Sequence, residues 1–206
     1  FRKFLAEKYP QIPYQDPAVT VEHPGRFPEL ENAWWDYKTD LVAEPYRDIR
    51  KTLDAYRNPD GKKRRIFVWL DAGIQPSGRY GAITSRLTDY RKIGRFADAV
   101  APMLYTDDNE AVGTLAATGS ELLKDCRAKL IVGLCPNRYY EYFRVESGSF
   151  AGLDAVRNQT LEAIFGGARG MIFWSHRGGF RGAHDFRELA VAVKMLEPVE
   201  EILVKG

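Results

Sequence analysis

Two cysteines among 206 residues are too few for a disulfide framework. Cys126 closes a predicted helix and Cys135 ends the strand after it, which sets them roughly 20 Å apart and out of bridging range. Histidine is almost as scarce. His23, His176 and His184 fall in separate segments, and no Cys-x-x-Cys or His-Glu-x-x-His spacing occurs, so neither a metal nor any other cofactor is expected. A charge excess of one sign is missing too: 30 basic residues against 28 acidic ones leave +2, which recommends neither nucleic acid nor an anionic bilayer as partner. No apolar run approaches the roughly 18 residues that would suggest a membrane span, and no signal peptide is visible. The Gly-x-Ser-x-Gly elbow of serine hydrolases and the Gly-x-Gly-x-x-Gly turn of dinucleotide-binding sheets are both absent.

What the chain does have is four apolar runs, at 65–71, 99–105, 129–135 and 170–176. Each leads into a polar loop and then a helix-patterned stretch, at about 85–96, 109–125, 150–165 and 184–196. Ahead of them, 29–57 reads as one long helix, with Ala33, Trp34, Tyr37, Leu41, Val42, Tyr46, Ile49 and Leu53 spaced by threes and fours and Pro45 expected to kink it. Residues 1–9 read as the tail of a helix and 10–28 as a proline-punctuated loop. Residues 1–198 form one unit, and 199–206, apolar again after Pro198, are a tail or the start of a further segment.

Strands alternating with helices build a parallel sheet whose ligands sit beyond the strands' carboxyl ends. That places Asp71, 105–108, 137–141 and 174–177 on one face. One leading helix plus four strand-helix units is half of an eight-fold barrel. An open doubly wound sheet is the alternative, and the missing glycine turn counts against its nucleotide-binding versions.

Several strings then converge: Trp34-Trp35-Asp36-Tyr37-Lys38 opening the long helix, the Ala-Asp-x-Val-x-Pro-Met-x-Tyr phrase at 97–105, Leu-Ile-Val-Gly-Leu at 130–134, and the Gly-Ala-x-Gly-x-x-x-Trp-Ser phrase at 167–175. In this order the chain resembles the C-terminal half of TIM-barrel glycoside hydrolases and the hydrolase-like proteins related to them. The second phrase is similar to the sixth strand of such barrels and the last to the eighth. The resemblance spans most of Trp34 to Leu196. It implies a (β/α)8 TIM barrel of which this chain supplies about the last four strand-helix units. Strands one to four then lie outside the sequence, with the proton-donating glutamate that often ends the fourth. The implied partners are a carbohydrate and an N-terminal half, upstream or as a separate chain, or else a second copy closing the barrel. By local rules Pro102 would demote its strand to a sheet edge; the resemblance keeps it as a barrel strand, with an irregularity expected there.

Hydrolysis of a glycosidic bond needs two carboxyl groups flanking it. Asp71, directly after its strand, and Glu141, within a loop of tyrosines, are the candidates for acid, base or nucleophile, with no fixed assignment between them. The resemblance would put a nucleophile at the tip of the seventh strand, but Leu134-Cys135-Pro136-Asn137 carries no carboxylate. Either Glu141 folds back into the cleft or the enzyme is not a conventional retaining one. Asp107 and Asp108 come just after Tyr105 and suit a site, but an Asp-Asp-Asn run ahead of a helix suits N-capping better. Tyr105, Asp107, Asn137, Tyr139, Trp174, His176 and Arg177 are expected to line the sugar subsite, with the Trp174 ring as a platform. Trp34 is expected in the core, while Trp35 and Asp36 could border the cleft. Two other functions stay open: a non-catalytic glycan-binding or structural barrel, and a phosphate-binding barrel using the Arg177-Gly178-Gly179-Phe180-Arg181-Gly182 loop.

Overall fold

The computed structural model describes residues 1–70, 88–106, 108–136, 154–174 and 182–205. Within them helices and strands alternate: α1 (Arg2–Lys8), α2 (Ala18–Glu22), α3 (Pro28–Ala55), β1 (Phe67–Leu70), α4 (Tyr90–Gly94), β2 (Ala99–Leu104), α5 (Asn109–Leu123), β3 (Lys129–Leu130), β4 (Val132–Leu134), α6 (Ala155–Phe165), β5 (Met171–Phe173), α7 (Ala183–Leu196), a 3-10 turn (Glu197–Val199) and α8 (Glu200–Lys205). Each of the four apolar runs supplies strand. The proline-punctuated loop is not wholly irregular, because α2 forms after Pro17, where the Asp16 carboxylate accepts the Ala18 N–H at 2.9 Å.

All strand pairs are parallel, β1 with β2, β2 with both β3 and β4, and β4 with β5. Neighbours in the sheet are therefore neighbours in sequence, and among the described residues β1 and β5 are its edges. Val68, Leu70, Val100, Leu104, Leu130, Val132 and Leu134 point to one side and build the main core with residues from α3, α4, α5 and α6. The helices pack in the same order as the strands, α3 on α4, α4 on α5, α5 on α6 and α6 on α7. The fold is thus mixed α/β, a parallel sheet with a row of helices beside it.

Pro102 sits in the middle of this sheet, not at its edge, since β2 pairs on both sides. The expected irregularity falls on the neighbouring strand. Proline has no N–H to offer across the ladder, and the third run is split at Ile131, where Val100 O still accepts the Ile131 N–H at 2.9 Å before pairing resumes at Gly133. Pro45 lies inside α3 without ending it, on an exposed stretch where the carbonyl it deprives of a donor can turn to water.

Two charge clusters fix the long helix. Near its C-terminal end Arg50, almost fully buried, donates to Phe96 O at 2.9 Å and to Asp98 Oδ2 at 2.5 Å. Near its N-terminal end Asp36 receives Lys8 at 2.6 Å, Lys92 at 2.5 Å and the Tyr9 hydroxyl at 2.8 Å, which ties α1 and α4 to α3. Burial alone would raise the Asp36 carboxyl, but these three donors outweigh it and hold it down at about 2. The same contact, with burial, pushes the Tyr9 phenol up to about 12.

A depressed carboxyl stabilises the fold above its unfolded value near 4, and the gain is lost as pH falls from about 4 towards about 2. A raised phenol stabilises below about 10, and that gain fades as pH rises towards about 12. Asp36→Asn should therefore flatten both flanks of the stability–pH curve and cost about 1–2 kcal/mol near neutrality, since partial exposure screens the cluster. Chemical denaturation between pH 2 and pH 11 measures this; flanks as steep as in the parent protein would refute it.

Candidate functional site

The carboxyl ends of the strands come together around β2. Met103, Ala101 and Ala99 alternate with the core-facing residues, and on the same side lie Phe67 and Trp69 from β1, Gly133 from β4, Ile172 from β5 and Trp174 just after it. This side is apolar as well. Trp69 reaches across it, 6.2 Å from the Phe67 ring and 6.0 Å from Trp174. The indole lies close over Gly133, where a Cβ would stand in van der Waals contact with it at 3.4 Å and 3.3 Å from Pro102 O. Trp174 and Phe67 keep 48% of their surface open to solvent. A tryptophan pair with one ring half exposed, at the end of a parallel sheet where ligands gather, is an arrangement that can accept a flat apolar ring face.

Tyr105 follows β2, partly buried beside this face. The next carbonyl, that of Thr106, accepts from Gln159 Nε2 at 2.9 Å, and Gln159 is fully buried on α6. The glutamine thereby fixes the tip of β2 from a helix 53 residues away in sequence. Sequence reasoning missed it, although the signal existed: Val156, Gln159, Thr160 and Ala163 form the buried stripe of α6, and an amide in an apolar stripe needs a partner. Its Oε1, buried like the rest of the side chain, has no hydrogen-bond partner among the described residues.

Other expected site residues separate in the structure. Asp108 is spent on capping α5, accepting the Ala111 N–H at 3.1 Å, so of the two readings weighed for it the structural one applies. Asp36 belongs to the ion cluster under α1 and α4 and so has a structural task. Trp34 packs, partly buried, among Phe1 at 5.0 Å and Tyr37 at 5.6 Å, and Lys38 Nζ lies 3.9 Å over the Trp35 ring. Asp71, Asp107, Asn137, Tyr139, Glu141, His176 and Arg177 lie outside the described residues, as do 177–181 of the loop considered for phosphate.

Cys126 and Cys135 are not joined in a disulfide, in keeping with the separation expected of them. Among the described residues no cluster of histidine, cysteine and carboxylate could hold a metal ion, and no helix is long and apolar enough to cross a membrane. Comparison with known families, curated proteins and solved structures finds no match to this chain in any of the three.

Proposed function

We propose that this chain is the C-terminal half of a TIM barrel that binds carbohydrate on the face bearing Trp69 and Trp174. Acid–base hydrolysis of a glycosidic bond by Asp71 and Glu141 is the reaction proposed for it. The observation that carries the reading is the tryptophan pair at the carboxyl end of a parallel sheet, with Trp174 half open to solvent. Indole faces cover the apolar faces of pyranose rings and give affinity without charge, which suits a chain of net charge +2. The sheet order supports the barrel. When consecutive strands are consecutive neighbours, right-handed crossovers place every helix on one side, as in a barrel wall; a doubly wound sheet reverses its order and is covered on both.

Titration with neutral hexasaccharides of glucose, N-acetylglucosamine and xylose, followed by tryptophan fluorescence, tests the binding half of this proposal. The parent protein should give a saturable change with one of them, and Trp174→Ala should weaken it tenfold or more with melting temperature nearly unchanged. Equal affinity in the variant removes Trp174 as platform, and no response from the parent protein removes the carbohydrate reading. Release of reducing ends from the bound sugar then separates an enzyme from a binding barrel.

A further inference from the structure

The chain's near-neutral balance hides an uneven distribution of charge. Four loops lead into the strands, 56–66 ahead of β1, 95–98 ahead of β2, 124–128 ahead of β3 and 166–170 ahead of β5, and all four lie within the described residues. Together they carry nine basic residues and three acidic ones, although the whole chain has 30 against 28. The rest of the chain is therefore acidic on balance. The positive excess sits at the amino ends of the strands, at the other end of the sheet from Trp174.

The few carboxylates nearby do not cancel it, because they are drawn inward. Asp98 accepts from Arg50 at 2.5 Å, from the Ile66 N–H at 2.8 Å and from Arg127 at 2.6 Å. Asp54, near the end of α3, faces the same Arg50 at 3.2 Å. Arg50 is almost fully buried, so it takes two carboxylates that would otherwise offset surface cations. Asp60 pairs with Lys62 at 3.1 Å. Arg57 reaches only the carbonyls of Asp54 and Tyr56, and Arg64 only the Asn58 side-chain oxygen and the face of the Tyr56 ring. Lys63, Arg65 and Arg95 are exposed and make no ion pair among the described residues.

The backbone arranges these groups as a row. The Asn58 N–H donates to Lys62 O at 3.1 Å and the Gly61 N–H to Asn58 O at 2.8 Å, closing a turn with Gly61 at φ +76, from which 62–66 lead directly into β1. The sheet register sets Phe67 beside Ala99 and Ala99 beside Lys129. Arg65 and Arg127, each two residues earlier, then stand at one level, two strand spacings or about 10 Å apart.

We propose that this amino-end face binds an acidic polysaccharide, which lies from the 56–66 loop towards Arg127 and Lys129 and sets its carboxylate or sulfate groups against the guanidinium forks. Cations spread along separate loops suit a linear polymer with charge on successive units, whereas a single small anion would need them gathered at one point. Nucleic acid fits less well. Single strands are held by stacking bases on open rings, and the one aromatic residue of 56–65, Tyr56, already carries Arg64 at 4.5 Å. An anionic bilayer takes up basic segments that also offer large apolar side chains for insertion, and 57–65 contains none.

The test is calorimetric titration with oligomers of galacturonic acid and with heparin hexasaccharide, at low and at high salt, beside single-stranded DNA and phosphatidylserine vesicles. One of the two glycans should bind more tightly than either DNA or vesicles, with an affinity that falls as salt rises. Lys63→Ala combined with Arg65→Ala should weaken that binding about tenfold with melting temperature unchanged, as expected for two exposed pairs lost. Lys3→Ala combined with Arg26→Ala removes the same charge elsewhere and should leave it within about twofold. Binding of neither glycan, equal or tighter binding of DNA or vesicles, or equal losses in the two double variants would overturn the assignment. Trp174→Ala should leave the acidic glycan bound, so failure of the tryptophan site and failure of this face are read separately.

Discussion

Asp98→Ala is expected to lower stability by roughly 3 kcal/mol, because one carboxylate satisfies three donors where the long helix meets the amino ends of the strands. Its Oδ2 accepts from Arg50 at 2.5 Å and from the Ile66 N–H at 2.8 Å; its Oδ1 accepts from Arg127 at 2.6 Å. Arg50 has only 7% of its side chain exposed, and removing its partner leaves a buried guanidinium with Asp54 and one carbonyl. The Arg127 side chain is 42% exposed. Arg127→Ala should therefore cost no more than about 1 kcal/mol, the usual worth of a surface pair.

Burial alone would raise the Asp98 carboxyl, but the Ile66 N–H and the two guanidinium groups together hold it below the usual range. The stabilisation is complete above the unfolded value near 4 and declines as pH falls through the lowered one. In a chain of this size 3 kcal/mol corresponds to a fall of roughly 6–12 °C in melting temperature. A loss under 3 °C for Asp98→Ala, or equal losses for Asp98→Ala and Arg127→Ala, would show that the buried pair is not what holds α3 to the sheet.

The positions of the strands were legible because a strand facing a helix layer on one side and carrying apolar side chains on the other reads as a continuous apolar run. The helices were legible from their threes and fours. The break at Ile131 was not, since nothing in Leu130-Ile131-Val132-Gly133-Leu134 announces it; its cause is Pro102 on the neighbouring strand, and only pairing brings the two together. Asp98 has the same limitation. The Ala-Asp-x-Val phrase marks it, yet which arginines it meets depends on residues 48 and 29 positions away.

The candidate site shows the limit more sharply. Trp174 could be placed by counting from its strand, whereas its meeting with Trp69 depends on β1 and β5 lying three strands apart in a sheet whose order the sequence does not state. Asp36 stood beside two tryptophans, in a string that could have bordered the cleft. Its neighbours Lys8 and Lys92 come from distant elements, and they turn the same carboxylate into a clamp. Gln159 carried a visible signal, a polar side chain within a buried helical stripe, but its target, the Thr106 carbonyl, did not.

That target makes the seat of α6 on α5 matter beyond stability, and Gly166→Val should unseat it. A Cβ at Gly166 would lie 2.7 Å from both the Ala116 Cβ and the Gly113 carbonyl oxygen, and 3.1 Å from the Ala117 nitrogen. Two of these three are backbone of α5, which cannot swing aside as a side chain can. The backbone of Gly166 itself has φ −70, open to any residue, so the cost is steric alone. Overpacking of this kind costs about 1–3 kcal/mol for one added methyl, and valine adds two more carbons against a wall that has not moved. Gly166→Ala should thus lose roughly 2 kcal/mol and Gly166→Val roughly 4 kcal/mol, or about 8–16 °C. Gly61→Ala is the control of opposite kind: its φ is +76 with open space around it, so only backbone strain of about 1 kcal/mol is added. If α6 shifts, Gln159 is drawn away from Thr106, and amide exchange at 104–106 should rise in Gly166→Val even at temperatures where the fold persists. Unchanged exchange there, together with a melting temperature within 3 °C of the parent protein, would mean that α5 and α6 can part without disturbing the tip of β2.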